Sequence, residues 1–295
     1  MNRQSALKQI VGEVATGKLE FASNTELALR IRKSLDDPDC HLDAAAKLMQ
    51  AEPVLSAQVV AIANSAAYNP SGREITDVKT AVNRLGFATL RNLVMALVTR
   101  QMAGAPGNPQ QRKAVAQLWE HTAHVAALCR VIAKRVTRLD PDTALFVGLV
   151  HEVGGFYLLS RANQFPALLD TAVDVDAATP AVDTAAEPEE TDDECVRLEG
   201  DLGLAVLRKL NVPEAVVGAV ADYWAGYLAM PPRTLGDTLL LADELAPIVS
   251  PLRPQVSAGV GISASIDMAI GQDTLAEILQ ESEEEVASIV RALQG

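Results

Sequence analysis

Four side chains sit where helical spacing asks for apolar residues. His121 follows Leu118 by three and precedes Val125 by four, so it falls on the apolar stripe of its helix or at its edge. His151 and Glu152 close the apolar run Phe146-Val147-Gly148-Leu149-Val150. Asp243 lies inside Leu239-Leu240-Leu241-Ala242-Asp243-Glu244-Leu245-Ala246. Burying such groups is costly unless they are paired, hydrogen-bonded or bound to an ion. Two imidazoles and two carboxylates make a complete nitrogen and oxygen set for a hard or borderline divalent metal. The spacing equally allows a hydrogen-bonded core histidine and a half-exposed Asp243, so both readings stand at this point.

Other chemistry is thin. There is no Gly-rich phosphate loop after a strand, no Cys-x-x-Cys pair and no Gly-x-Ser-x-Gly elbow. Asn64 and Ser65 read as internally hydrogen-bonded groups inside a helix, and Arg84, Arg91 and Arg100 as a solvated helix face.

The elements that must hold these residues are helices. Strand alternation and Asn-Gly or Asp-Gly hairpin turns are almost absent. Ser23-Asn24-Thr25-Glu26 is a capping-box pattern, followed by Leu27, Ile31 and Leu35 at helical spacing and a stop at Asp36-Asp37-Pro38. Leu42 to Gln50 and a segment from Pro53 are the next helices. Thr76 to Leu85 is closed by Gly86, and Phe87 to Met102 follows. Gly104 to Asn108 breaks the chain. Gln111 to Thr137 is predicted as one long helix with Leu118, Val125, Leu128, Ile132 and Val136 on one face. Asp140-Pro141 starts a helix that runs to His151, interrupted by Gly154-Gly155. Phe156 to Leu169, Gly203 to Leu210, Pro213 to Leu228, Thr234 to Ala246 and an amphipathic Asp273 to Leu293 complete an all-α chain.

Composition bounds the partners. The chain has 295 residues, 49% of them hydrophobic but only 4% aromatic, so its core is aliphatic. Its net charge is −13, against nonspecific nucleic-acid binding, which needs basic surface. Ten acids and no Lys or Arg fall in residues 170–194, which leaves −3 for the rest. That stretch reads as a flexible solvated insertion, with an acidic docking tail for a basic partner as the alternative. Three scattered cysteines, Cys40, Cys129 and Cys195, suggest a reducing cytoplasm. No signal segment is read at the start, and no segment is read as long and apolar enough to span a bilayer.

Several motifs make the chain resemble the HDOD family, a bacterial all-α regulatory module related to HD-type metal phosphohydrolases. Glu52-Pro53-Val54-Leu55 resembles the family's Asp-Pro-x-Leu, with Glu for Asp. Ala63-Asn64-Ser65-Ala66-Ala67-Tyr68 resembles Ala-Asn-Ser-x-x-Tyr, and Ala81-Val82-Asn83-Arg84-Leu85-Gly86 resembles Ala-Ile-x-x-Leu-Gly. Trp119-Glu120-His121 matches Trp-x-His, and Gly148-Leu149-Val150-His151-Glu152-Val153-Gly154 matches Gly-Leu-Leu-His-Asp-Ile-Gly. The resemblance implies an HD-like multi-helix fold. Residues 1–20 would be a helical extension, 21–108 the N-terminal half, 109–250 the HD-like half carrying the 170–194 insertion, and 251–295 an amphipathic helical tail.

In HD enzymes the matching positions hold metal, so the resemblance makes His121, His151, Glu152 and Asp243 a degenerate ligand set. Glu152 replaces Asp, which places its carboxylate about one methylene further out, where ligand distances tolerate about ±0.2 Å. The lysine that often follows the motif is absent at Gly154-Gly155. Glu199, Tyr223 and Trp224 stand where histidines would support a second ion. The expectation is a non-catalytic regulatory or scaffold module in bacterial signal transduction, cytoplasmic, acting through unidentified signalling proteins, with no nucleic acid and no membrane partner. No cofactor is expected, with a divalent metal as the exception. The alternatives are a metal-dependent phosphohydrolase of a nucleotide or cyclic dinucleotide, and a small-molecule sensor without turnover.

Overall fold

The computed structural model describes residues 2–19, 25–169, 190–226, 229, 231–252 and 272–294. Among the described residues there are thirteen α-helices and no strand. Ser23 and most of the acidic stretch, residues 170–189, lie outside the described residues.

The N-terminal half is built around α5 (Val78–Gln101), against which α2 (Thr25–Leu35), α3 (Leu42–Gln50) and α4 (Pro53–Asn64) pack. Its local rules are those of helix ends. Glu52 accepts from the Leu55 amide with Pro53 in the first turn, and Asp77 accepts from the Thr80 amide. Gly86 has φ 73° and kinks α5 into the two helices expected from sequence, a backbone state that costs glycine little. Asn64 clamps the loop after α4. Its Nδ2 donates to the Ile75 carbonyl at 2.7 Å, and the Ile75 amide donates to its Oδ1 at 2.8 Å.

The second half is organised on α6 (Pro109–Ile132), which is capped by Asn108 and contacts α7 (Pro141–Val150), α8 (Val153–Arg161) and α11 (Leu235–Glu244). Helix α7 is capped by Asp140 and buried from Ala144 onward. It meets α6 so closely that a Cβ on Gly148 would fall 2.5 Å from the Ala126 Cα. At Gly154 a Cβ would fall 2.9 Å from the Gly203 Cα on α9 (Glu190–Lys209). Helix α10 (Glu214–Ala225) joins α9 to α11.

The halves share one core. Helix α5 packs on α7 and α8, and Arg32 on α2 donates to the Leu210 and Asn211 carbonyls at the end of α9. Helix α1 (Arg3–Ala15) lies on α9, where Arg3 pairs with Glu199 and Lys8 with Glu194. Helices α12 (Gln272–Glu281) and α13 (Glu283–Gln294) end the chain, with α13 seated against α4 and α6.

Several boundaries differ from the sequence reading. The long helix after Asn108 stays α-helical only to Ile132 and ends in a π-turn, Ala133–Thr137. The expected C-terminal helix is two, divided at the buried Ser282. Helix α9 begins inside the acidic stretch, at Glu190, where α1 supplies Gln4 and Lys8 to Glu194. The break after α7 falls at His151-Glu152, and both Gly154 and Gly155 are inside α8. The span 141–161 is long and apolar enough to cross a membrane, contrary to the sequence reading, but it is the pair α7 and α8, almost wholly buried in the core. Of the three arginines read as a solvated face, Arg84 is exposed as expected and Arg91 partly so, while Arg100 is half-buried. Arg84 donates to the Tyr68 carbonyl, Arg91 to the Leu35 carbonyl, and Arg100 lies over the Trp119 ring at 5.2 Å.

Candidate functional site

The close contact of α6 and α7 brings His121 and His151 face to face, and α11 adds Asp243. A capping box of Thr234 and Asp237 fixes the start of α11 and so the height of Asp243. The two Nε2 atoms are 3.3 Å apart, and His121 Nε2 is 3.2 Å from Asp243 Oδ1. One ligand atom from each of the three residues lies within 4.8 Å of the other two. His151 is fully buried and His121 nearly so, while the Asp243 side chain keeps 18% of its exposure.

The tautomers follow from geometry. His121 Nδ1 is 2.7 Å from the Ile248 carbonyl oxygen, and His151 Nδ1 is 2.7 Å from that of Gly148. Carbonyls only accept, so each Nδ1 carries the hydrogen and each Nε2 of a neutral ring presents a lone pair to the cluster. Two lone pairs and a carboxylate converging on one point need a positive charge between them. Donor separations of about 3.0 to 3.4 Å are what neighbouring ligands show around an ion bonded at about 2.1 Å. His121, His151 and Asp243 therefore fit a divalent cation.

A proton can fill the same role. Burial pushes His121 down, but the hydrogen bond to Asp243 and the charges of Asp243 and Glu152 outweigh it and hold its pKa above the usual histidine value. Burial dominates at His151 and pushes it down to about 4. The proton that would complete the cluster is thus favoured on His121, between Asp243 and the lone pair of a neutral His151.

Glu152 is buried beside the pair but does not join the three converging atoms. It stands at the head of α8, its Oε2 3.0 Å from where a Gly155 Cβ would be. Its charge raises both histidines. Tyr223 packs edge-on against the His151 ring with centroids 5.4 Å apart, and Trp224 packs edge-on against Tyr223 at 5.7 Å. Glu199 is held by Arg3, which also donates to the Leu168 and Leu252 carbonyls. Sequence reasoning missed Arg3, because nothing in the spacing of the first helix marks a residue that reaches α9. It missed the Ile248 and Gly148 carbonyls because backbone groups leave no trace in side-chain patterns.

A family model described as the HDOD domain matches residues 22–225. No curated protein matches the chain. A solved structure from Shewanella amazonensis, called a "putative metal-dependent phosphohydrolase", is 19% identical with a TM-score of 0.70, covering 99% of this chain and 99% of its own. An HDOD domain protein of unknown function from Geobacter sulfurreducens is 23% identical with a TM-score of 0.61, covering 99% and 97%. A "putative signal transduction protein" from Marinobacter aquaeolei is 16% identical with a TM-score of 0.58, covering 100% and 67%. At these identities the likeness is one of fold.

Proposed function

Because the chain belongs to the HDOD family, we propose that it is a non-catalytic regulatory module of bacterial signal transduction that works by binding other proteins. The Marinobacter fold relative carries a signalling description, in keeping with this reading. The observation that carries it is the packing around His151. The Tyr223 ring sits on one side of that imidazole and the closed Arg3–Glu199 pair ties down the neighbouring helix. A hydrolase needs room beside its ion for water and a phosphoryl group, and usually a second cation. Tyr223, and Glu199 tied to Arg3, stand where the family resemblance would put further histidines, which supports the non-catalytic reading. Three scattered cysteines and a net charge of −13 fit a cytoplasmic protein that avoids nucleic acid.

The convergence of His121, His151 and Asp243 favours one other reading, a metal-dependent phosphohydrolase acting on a nucleotide or cyclic dinucleotide. Those three residues would hold the ion, which when bound supplies a water acidic enough to attack a phosphoester. His121 and His151 would present their Nε2 atoms, with their Nδ1 hydrogens fixed by the Ile248 and Gly148 carbonyls.

One set of measurements separates the readings: metal analysis of the purified chain, then phosphatase and phosphodiesterase assays with added Mn²⁺, then thermal shifts with nucleotides. The regulatory module predicts no turnover and no nucleotide-induced shift. Stoichiometric metal with turnover selects the enzyme, and a ligand-induced shift without turnover selects a sensor.

A further inference from the structure

Outside the histidine cluster, charges and apolar surface converge on the seat of α13. Ile289 and Leu293 are fully buried there, with Val290 and Ala292 close behind. The helix is bound at three heights. At its start, Lys134 Nζ lies 3.3 Å from Glu285 Oε2 and Arg130 Nε lies 3.6 Å from Glu285 Oε1, and just before it Arg135 meets Glu281, the last residue of α12, at 3.2 Å. Midway, the Ala66 amide donates to Ser288 Oγ at 3.1 Å. At its end, the Leu293 carbonyl accepts from Trp119 Nε1 at 3.2 Å and Gln58 Nε2 at 3.4 Å. The seat is thus a groove between α4 and α6 with a basic rim at one end and two carbonyl-directed donors at the other.

Both walls of the groove lie inside the family match of residues 22–225, and α13 lies outside it, joined to Leu252 through α12 and the chain of residues 253–271. The fit is incomplete. Among the described residues, the buried Gln58 Oε1 and Ser282 Oγ find no hydrogen-bond partner, and Arg130 Nε and Glu285 Oε1 face each other at 3.6 Å, beyond hydrogen-bond distance. The walls also stay paired without the tail, since Arg130 is bound to Asp142 and stacks over the Tyr68 ring at 4.4 Å.

We propose that this groove is a receptor for an amphipathic helix, that α13 occupies it as an internal stand-in, and that the chain's protein partner docks by inserting its own helix in place of α13. That helix is acidic in its first turn and apolar along one stripe, the chemistry that α13 itself shows. The proposal rests on reading the chain as a protein-binding module. It names the surface and the regulation, because a partner must first compete with a tethered helix whose effective concentration is on the order of millimolar.

The test uses the full chain and a labelled, end-capped peptide of residues 282–294. Wild type should bind the peptide weakly. The Glu285→Arg variant, whose own tail is repelled by Arg130, Lys134 and Arg135, should bind it at least tenfold more tightly. A disulfide lock, Ala66→Cys with Ser288→Cys, should abolish binding when oxidised and restore it when reduced. No gain in Glu285→Arg, or undiminished binding to the locked chain, overturns the proposal. Hydrogen exchange on the unaltered protein gives a second reading should either variant fail to fold. Amides of α13 should exchange faster than those of α6, and exchange only through global unfolding would overturn the proposal. Phosphoester turnover is measured on the same samples. Turnover with intact peptide exchange would sink the non-catalytic reading and leave the groove standing, while failed exchange without turnover would do the reverse.

Discussion

Helix α6 carries two buried polar clusters, centred on His121 and on Arg130, nine residues and about 13 Å apart along its axis. Around Arg130 opposite charges alternate. Asp142 pairs with it and accepts from the Tyr68 hydroxyl at 2.6 Å, while Glu285 lies on the other side. Around His121 the atoms are alike, with two imidazole nitrogens and a carboxylate oxygen all offering electrons. A polar residue on a core face is thus not in itself a sign of chemistry. The Arg130 cluster is charge-balanced once Lys134, also on Glu285, is counted, and it joins the two halves of the fold to the tail. The His121 cluster is incomplete until a proton or a cation enters it.

The comparison can be broken most forcefully at Arg130. Arg130→Met strands Asp142 and Glu285 and removes the cation over Tyr68, so it should cost about 3 to 5 kcal/mol and lower Tm by roughly 10 °C. A melt within 2 or so degrees of wild type would show that the node is not structural. The second effect is acid sensitivity at the other cluster. His151 titrates at about 4 in the fold against about 6.5 unfolded, so the unfolded chain takes up its proton first. Its contribution should be complete above about pH 6.5 and fall by up to about 3 kcal/mol as the pH drops toward 4. His121 works in the opposite sense, since its raised pKa adds stability below about 6.5 that is lost as pH rises through its folded value. Denaturant midpoints of wild type and His151→Gln across this range should converge in acid, and parallel curves would refute the assignment.

Gly148→Ala sharpens the comparison by moving only one cluster. The added methyl meets the Ala126 backbone, so α7 must shift from α6, at a cost of about 1 to 3 kcal/mol. Any response of stability to Mn²⁺ should vanish with it while the Arg130 pairs persist. Asn64→Ala loses the two-way clamp on Ile75 and should cost about 1 kcal/mol, read as a small shift in urea midpoint. Arg84→Ala should stay within about 0.5 kcal/mol, because its two hydrogen bonds lie at the surface.

What the sequence disclosed follows from these contrasts. The all-α architecture was legible because apolar spacing and caps at Glu52, Asp77, Asn108 and Asp140 are local signals. The four candidate residues were legible as polar intrusions on apolar stripes, but their grouping was not. Only the fold separates Glu152, beside the cluster, from the three whose atoms converge. Arg130 escaped notice because an arginine within a long helix reads as surface until Asp142 and Glu285 arrive from elsewhere. The break at His151-Glu152 was misplaced because paired glycines look like breakers, yet Gly154 is there so that α8 can touch Gly203. The division at Ser282 was hidden by apolar spacing that continues across it.

The account turns on what holds the lone pairs of His121 and His151 together, and ¹⁵N NMR of the imidazoles at pH 7 reads it directly. With no metal added, His121 should hold its second proton to a higher pH than an ordinary imidazole, and His151 should be neutral with its hydrogen on Nδ1. Equimolar Mn²⁺ should leave both sets of signals in place. Two neutral rings, each protonated only at Nδ1, with signals erased by Mn²⁺, would mean that a cation and not a proton completes the cluster.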